Sequence, residues 1–290
     1  MLTPVHAPAA SSEESPIAAQ SPFRGPLRAL ILDWAGTAID FGSRAPVAAL
    51  CQLFAQYGVA LTEAQARGPM GTHKRDHIRT LTEDATIAAA FAAHHGHAPG
   101  HADVDAMYAA LLPLTQQAAR QTATLIPGLL SLQGEARARG LRIGSTTGYN
   151  AEMMADIVPL AQAQGYRPDS IVTVSDVPAG RPAPWMCFLN AQRLGIFPPA
   201  ACVKIGDTRA DIEEGHAAGM WTIALSRCGN EVGLSEAELS ALPAPQQAAC
   251  IAAARDRLAQ SRPHFVVEGP ADVIPLLDEI NRRLARGSRP

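Results

Sequence analysis

The feature that most constrains the fold is an alternation of short apolar runs with helix-like stretches, interrupted once by a long helical block. Short apolar runs bounded by turn residues are typical of buried strands, and helices between them predict a parallel sheet covered on both faces. Six such runs occur, at residues 27–33, 141–148, 170–176, 201–207, 221–226 and 264–269. The alternation therefore predicts an α/β fold with a doubly wound parallel sheet.

The interruption follows the first run and contains no strand pattern. Helix-like stretches fill it, with Gly and Pro between them, at residues 45–59, 62–71, 72–95 and 103–123. We therefore predict an α/β core domain formed by residues 26–42 and 124–290, with residues 43–123 inserted as a small helical cap domain. Residues 1–25 are rich in Ala, Pro and Ser, and we expect a disordered N-terminal extension there. We expect residues 229–262 to form a peripheral insertion that takes no part in the functional site.

Composition and charge exclude several classes of protein. A chain of 290 residues with 47% apolar residues can bury a core without disulfides. The net charge of −3 provides no basic field for nucleic acid. No apolar run approaches the ~18 residues of a membrane span, and the N-terminus lacks the pattern of a secretory signal. The five cysteines are scattered and form no CxxC pair, so we expect neither a zinc site nor disulfides, and a cytoplasmic location.

Polar residues follow four of the predicted strands directly. They are Asp33 after the first strand, Thr147 and Gly148 at the second, Arg181 after the third, and Asp207 and Asp211 after the fourth. Because ligands of open α/β sheets bind beyond the carboxyl ends of the strands, we expect these groups to meet at one edge. Carboxylates, a hydroxyl and an Arg in one place suit a phosphoryl group held by a divalent metal.

Each of these groups also has a structural interpretation. Asp33 is either a nucleophile that forms an aspartyl-phosphate or a helix N-cap. Asp207 and Asp211 are either metal ligands or residues that cap the following helix. Thr147 suits a polar turn equally well, and Arg181 taken alone suits the surface. Four histidines between residues 94 and 101 suit a metal site or a solvated loop, and the neighbouring glycines favour the loop.

Lysine is rare in this chain. Of the 24 basic residues only two are Lys, Lys74 and Lys204. A compositional bias toward Arg explains the excess, but a Lys that remains can mark a place where an amine is required. A guanidinium stays protonated and cannot act as a nucleophile, whereas a Lys amine can.

Five sequence motifs in order add a resemblance to a known family. They are DWAGT at 33–37, PMGTHKRDH at 69–77, STTGY at 145–149, SDVPAGRPAPWM at 175–186 and GDTRAD at 206–211. Together they resemble the phosphonoacetaldehyde hydrolases, or phosphonatases, of the haloacid dehalogenase superfamily. The resemblance extends over about residues 27–285 and implies a core domain with a helical cap, Mg²⁺ as cofactor and a homodimer.

The resemblance also implies a reaction, in which phosphonoacetaldehyde and water give acetaldehyde and phosphate, and it implies the residues that perform it. Asp33 matches the nucleophile and a metal ligand, and the Ala35 carbonyl, Asp207 and Asp211 match the remaining metal site. Thr147 and Arg181 match the residues that hold the phosphonate. Lys74 matches the cap lysine that forms an imine with the aldehyde. Met70, His77, Gly148 and Tyr149 match residues around the substrate.

The chemistry of two positions agrees with this implied reaction. Most phosphatases of the superfamily carry a second Asp two positions after the nucleophile, as a proton donor for a leaving alcohol, and this chain has Ala35 there. A carbon leaving group needs an electron sink instead, which an imine on Lys74 supplies. We expect burial and the adjacent Arg75 to lower the pKa of Lys74, Asp76 to oppose this, and His77 to shuttle protons.

Two other functions remain open at this stage. One is a phosphatase or phosphomutase acting on a small phosphate ester, against which Ala35 and Lys74 argue. The other is a non-catalytic phosphate-binding protein on the same fold, against which Asp33, Thr147 and Asp207 argue.

Overall fold

The computed structural model describes residues 22–290, and its centre is a single six-stranded parallel sheet. The strands are β1 Ala29–Leu32, β2 Arg142–Thr147, β3 Ser170–Thr173, β4 Cys202–Gly206, β5 Trp221–Leu225 and β6 Phe265–Val267. Their spatial order is β3-β2-β1-β4-β5-β6, with every neighbouring pair parallel. Strands β1, β4 and β5 are buried along their whole length, as expected for a sheet covered on both faces. The predicted α/β doubly wound fold is confirmed.

Twelve α-helices accompany the sheet in the described residues. They are α1 Arg44–Gln56, α2 Glu63–Arg67, α3 Lys74–Thr82, α4 Ala85–His95, α5 His101–Thr122, α6 Leu129–Ala138, α7 Ala151–Ala163, α8 Trp185–Arg193, α9 Arg209–Ala217, α10 Glu236–Ala241, α11 Ala244–Ala259 and α12 Ile274–Ala285. Three short 3₁₀ helices cover Val174–Asp176, Pro199–Ala201 and Pro270–Val273. No helix of residues 22–290 is long and apolar enough to cross a membrane.

Helices α1 to α5 lie between β1 and β2 in the chain, where the inserted helical block was predicted. The chain enters and leaves this block along two adjacent segments. The Asp40 N–H donates to the Thr124 carbonyl at 3.1 Å, and the Ile126 N–H donates to the Ala38 carbonyl at 2.9 Å. The two segments that connect the helical block to the rest of the chain are thus hydrogen-bonded to each other.

Two details of the helical block differ from the sequence prediction. Residues 72–95 form two helices and not one, because the Asp84 carboxylate accepts hydrogen bonds from the backbone N–H groups of Thr86 and Ile87 and starts α4. Helix α2 ends at Arg67, so residues 68–73 form an irregular loop that leads into Lys74.

Residues 1–21 of the predicted extension lie outside the described residues. Within its remaining part, Phe23 packs against the hydrophobic core, and the Leu27 N–H donates to Asn281 Oδ1 at 2.8 Å. Contacts with the core thus begin before residue 26.

The chain reverses its winding direction at β1, which lies between β2 and β4. Such a switch point leaves a crevice at the carboxyl ends of the two strands. Asp33 follows β1 and Asp207 follows β4, so the sheet places both carboxylates at this crevice.

Candidate active site

A cavity lies between the carboxyl edge of the sheet and the loop before α3. Eight of the predicted site residues line it: Asp33, Ala35, Met70, Lys74, Thr147, Gly148, Tyr149 and Arg181. Ser43, Pro46, Gly71 and Thr208 complete the wall.

Asp33 is held at the end of β1 in a buried position. Its backbone N–H donates to the Ile205 carbonyl at 2.9 Å, and its side chain accepts a 2.6 Å hydrogen bond from Arg181 Nη2. Burial raises the pKa of Asp33, the Arg181 charge opposes this shift, and the neighbouring Asp211 adds to it. The carboxylate therefore faces the cavity with its charge only partly balanced.

Three carboxylates meet beside this cavity. Oxygen atoms of Asp33, Asp207 and Asp211 all lie within 4.8 Å of one another. Asp207 accepts hydrogen bonds from Thr37 Oγ1 at 2.9 Å and from the Asn230 N–H at 2.8 Å, and among the described residues it has no salt bridge. Burial and the charges of Asp33 and Asp211 raise the pKa of Asp207 well above its usual value.

The donor set fits a divalent cation. The buried charged groups around the cavity are Asp33, Asp207, Asp211 and Glu214, with Arg181, Lys204 and Lys74. When all are ionised, four negative charges face three positive ones, so the region carries an excess of negative charge that a cation would offset. Carboxylate oxygens are also the ligands that Mg²⁺ prefers. The Ala35 residue lines the same cavity, two positions after Asp33.

Asp211 differs from the other two carboxylates because cations and hydroxyls surround it. Its Oδ1 lies 2.7 Å from Lys204 Nζ and 3.1 Å from Arg181 Nη1, and its Oδ2 accepts from Thr208 Oγ1 at 2.6 Å. Burial raises the pKa of Asp211, but Arg181 and Lys204 outweigh burial and the net shift is downward. Lys204, whose role the sequence leaves open, thus pairs with a carboxylate of the site.

Lys74 is the first residue of α3 and is 4% exposed. Its Nζ lies 3.6 Å from Met70 Sδ and 5.5 Å from the centroid of the Tyr149 ring, and it has no salt bridge among the described residues. Burial lowers the pKa of Lys74 to about 8, with Arg181 adding to the shift and Asp33 opposing it. A helix N-terminus disfavours positive charge further.

The predicted role of Arg75 in this shift is wrong. Arg75 is directed away from the cavity and pairs with the exposed Asp105 at 2.5 Å. The like charge that acts on Lys74 is that of Arg181, which is far away in sequence but lines the same cavity. Asp76 likewise lies near Arg79, at 3.6 Å, and not near the amine.

His77 is fully buried behind Lys74 and is not among the residues that line the cavity. Its Nε2 donates to the Ala66 carbonyl at 2.9 Å, and its Nδ1 has no hydrogen-bond partner. Burial, followed by the Lys74 charge, lowers the pKa of His77 well below its usual value. The imidazole is therefore neutral, and its hydrogen bond to Ala66 ties α3 to α2.

The loop before α3 fits closely against two loops of the core. A Cβ atom on Gly148 would lie 2.6 Å from the Thr72 carbonyl oxygen. Gly71 has a φ of +88°, and a Cβ there would lie 2.3 Å from Thr208 Oγ1. Since real Cβ atoms do not approach so closely, both positions need glycine for this arrangement.

Sequence reasoning missed three residues of the site. The segment at 229–262 was predicted to take no part, but the Asn230 N–H donates to Asp207. Thr146 Oγ1 accepts from Arg181 Nη2 at 2.6 Å and from Lys204 Nζ at 3.0 Å, and Glu214 accepts from Arg181 Nε at 2.9 Å. Glu214 lies one helical turn after Asp211, and this spacing was the one signal for it in the sequence.

The four histidines of residues 94–101 form no metal site. Among the described residues, only Asp33, Asp207 and Asp211 form a cluster of potential metal ligands. His95 stacks on Phe91 instead, and the rings of His94 and His97 contact that of His95.

Comparison with known proteins places these features in a wider context. The model of the haloacid dehalogenase-like hydrolase family matches residues 27–219. A phosphonoacetaldehyde hydrolase of Nitratidesulfovibrio vulgaris is 47% identical, over 92% of this chain and 96% of the relative. One from Pseudomonas aeruginosa is 44% identical, over 91% and 96%.

A solved structure gives a similar result. A phosphonoacetaldehyde hydrolase-like protein from Oleispira antarctica superposes with a TM-score of 0.92 at 42% identity, over 94% of this chain and 99% of that one. A β-phosphoglucomutase-like structure from Bacteroides vulgatus superposes with a TM-score of 0.62 at 17% identity, which shows a shared fold.

Proposed function

This chain belongs to the phosphonoacetaldehyde hydrolases of the haloacid dehalogenase superfamily, and from that premise we propose that it hydrolyses the carbon–phosphorus bond of phosphonoacetaldehyde. The products are acetaldehyde and phosphate. One observation carries the proposal. A single cavity presents a buried Lys amine and a strand-end carboxylate, Lys74 and Asp33, to the same small space.

The Lys74 amine provides the electron acceptor that a carbon leaving group needs. A carbanion that leaves phosphorus directly is too basic to be released near neutral pH. Condensation of the aldehyde with the neutral Lys74 amine forms an imine and releases water, and protonation of its nitrogen makes it an acceptor for the electron pair of the C–P bond. Cleavage then yields an enamine. With a pKa of about 8, Lys74 has the neutral form available for this step.

The Asp33 carboxylate provides the nucleophile that attacks phosphorus. Asp33 attacks in line and forms an aspartyl-phosphate, while Arg181 and Thr147, which line the cavity, hold the phosphonate oxygens. Asp33, Asp207 and the Ala35 carbonyl would hold Mg²⁺, with Asp211 beside them. The ion would neutralise charge on the phosphoryl oxygens.

The remaining steps restore the protein. Water hydrolyses the aspartyl-phosphate and releases phosphate. The enamine takes up a proton at carbon, and water then hydrolyses the imine to free acetaldehyde and the Lys74 amine. Met70 and Tyr149 flank that amine and keep its surroundings apolar. Gly148 lets the loop before α3 close over the core, which excludes bulk water from these steps.

The alternative is a phosphatase or phosphomutase that acts on a small phosphate ester. Such an enzyme needs a proton donor for the leaving alcohol, and Ala35 occupies the position where the superfamily places one. Assays with phosphonoacetaldehyde and with an aryl phosphate separate the two functions. High activity on the ester alone contradicts the proposal.

Reductive trapping tests the imine directly. Borohydride added with substrate should attach the carbon skeleton to Lys74 and inactivate the protein, and peptide mapping should find no adduct at the fully buried Lys204. Lys74→Arg keeps the charge but abolishes both trapping and turnover. Arg75→Lys is a matched control, since it places an amine on the exposed side of α3, where no adduct should form. An unlabelled Lys74, or turnover by the Arg variant, contradicts the mechanism.

The homodimer and the cytoplasmic location stay predictions. The first follows from the resemblance to the family and the second from the composition. Sedimentation velocity of the purified chain measures the first.

A further inference from the structure

Glu214 is a buried acid outside all the motifs that identify the site. It lies on α9, one turn after Asp211, with a side chain that is 0% exposed and that does not line the cavity. Its Oε2 accepts hydrogen bonds from Arg181 Nε at 2.9 Å and from Thr146 Oγ1 at 3.3 Å, and it lies 3.4 Å from Lys204 Nζ. All three contacts are to Oε2, whereas Oε1 has no hydrogen-bond partner among the described residues, so Glu214 acts through Oε2.

Glu214 accepts a hydrogen bond from Arg181 Nε, the guanidinium nitrogen that is attached to the aliphatic part of the side chain. Nη2 donates to Asp33 Oδ1 and to Thr146 Oγ1, both at 2.6 Å. Nη1 donates to the Gly71 carbonyl at 3.3 Å and lies 3.1 Å from Asp211. Because the guanidinium is planar and rigid, a hydrogen bond at Nε sets the direction of Nη1 and Nη2 as well.

We propose that Glu214 is a positioning residue, which holds the Arg181 guanidinium so that its outer nitrogen atoms face Asp33 and the phosphonate. The inference rests on the proposed function, since Arg181 is the group that holds the phosphonate there. Glu214 itself touches neither the substrate nor the reacting atoms. It acts through Arg181 and determines how well phosphorus is placed for the attack by Asp33.

Lys204 completes this arrangement. Its Nζ lies between Asp211 Oδ1, at 2.7 Å, and Glu214 Oε2, at 3.4 Å, and it donates to Thr146 Oγ1 at 3.0 Å. The ammonium offsets the repulsion between the two carboxylates, so that both can approach Arg181. Lys204 is fully buried and does not line the cavity, so its amine is not a second nucleophile for the aldehyde.

The test separates events at phosphorus from events at the aldehyde. Glu214→Gln keeps the shape of the side chain but removes its charge. We expect kcat to fall about 100-fold, since small misplacement of reacting groups costs about that much. Inorganic phosphate, measured by calorimetry in the presence of Mg²⁺, should bind roughly 10-fold more weakly. Borohydride trapping at Lys74 should stay within about twofold, because Lys74 Nζ contacts Met70 and the Tyr149 ring and not Glu214.

Glu213→Gln is the matched control. Glu213 is the preceding residue of α9, and its carboxylate pairs with Arg209 at the surface, at 2.5 Å. The same chemical change there should leave kcat, phosphate affinity and trapping unaltered.

A double variant tests whether Glu214 acts through Arg181. Arg181→Lys removes the Nε group that Glu214 holds. In that background Glu214→Gln should lower kcat by less than about threefold further, because effects of residues that act as one unit are not additive. Full additivity of the two effects overturns the proposal.

Three other results of these experiments would overturn either the role of Glu214 or the proposed function. A Glu214→Gln variant with kcat and phosphate affinity near those of the wild type overturns the proposal. Equal losses of trapping and kcat, with a lower melting temperature, assign Glu214 a structural role and overturn it as well. Wild-type protein that forms no Lys74 adduct refutes the proposed function instead, and the phosphate affinities of the Glu214 and Glu213 variants still decide the role of Glu214.

Discussion

The reactivity of Lys74 should follow a pKa far below that of an ordinary lysine. Burial, with the charge of Arg181, lowers the pKa of Lys74 from 10.5 to about 8. A lowered pKa makes the neutral amine available at lower pH. At pH 7 about 10% of the Lys74 amines would be neutral, against about 0.03% for an unperturbed side chain. The structure therefore predicts that Lys74 forms the imine about 300-fold faster at pH 7 than a lysine of equal intrinsic reactivity with an ordinary pKa.

The assay is the rate of substrate-dependent trapping at Lys74, quenched at short times between pH 6 and pH 10. The rate should rise about tenfold per pH unit below about pH 8 and level off above it, since the neutral fraction approaches one there. Circular dichroism at each pH serves as the control for unfolding. A rate that still rises tenfold per unit between pH 9 and pH 10 would refute the reasoning, because it would show that burial leaves the amine unperturbed.

Two further predictions concern the core side of the cavity. Gly148→Ala would place a Cβ 2.6 Å from the Thr72 carbonyl oxygen and hold the loop before α3 away from the core. We therefore expect kcat/KM to fall at least about tenfold. Gly134→Ala, on an exposed turn of α6 with open space around it, should keep full activity and raise stability by about 0.5–1 kcal/mol. Asp207→Asn should abolish the rise in melting temperature that Mg²⁺ produces. In chelator it should melt above the wild type, because it relieves repulsion among three buried carboxylates. A lower melting temperature in chelator would contradict this.

Much of the site could be predicted because its residues follow strands. The apolar runs have clear ends, and parallel strands bring their carboxyl ends to one edge whatever the details of packing. Asp33, Thr147 and Asp207 are therefore assigned to the site by their place in the pattern. Lys74 needed the resemblance as well, since no strand end marks it.

The surroundings of Lys74 could not be predicted in the same way. Residues 74–77 cover about one turn of α3, so their spacing alone does not show which side chains face the cavity. The docking of α3 decides this. It buries Lys74 and His77, leaves Arg75 at the surface beside Asp105, and makes Arg181 the like charge that acts on the amine.

Long-range contacts decided the rest. Asn230 reaches Asp207 across 23 residues, and Glu214 reaches Arg181 across 33 residues. No short pattern records such pairs, because they arise when separate strands and loops pack at one edge of the sheet. The sequence by itself determined the class of fold, the order of its elements and the chemical groups at the strand ends. The tertiary structure decided which charges meet, since the burial and distances that shift a pKa exist only after the sheet and the helical block have packed together.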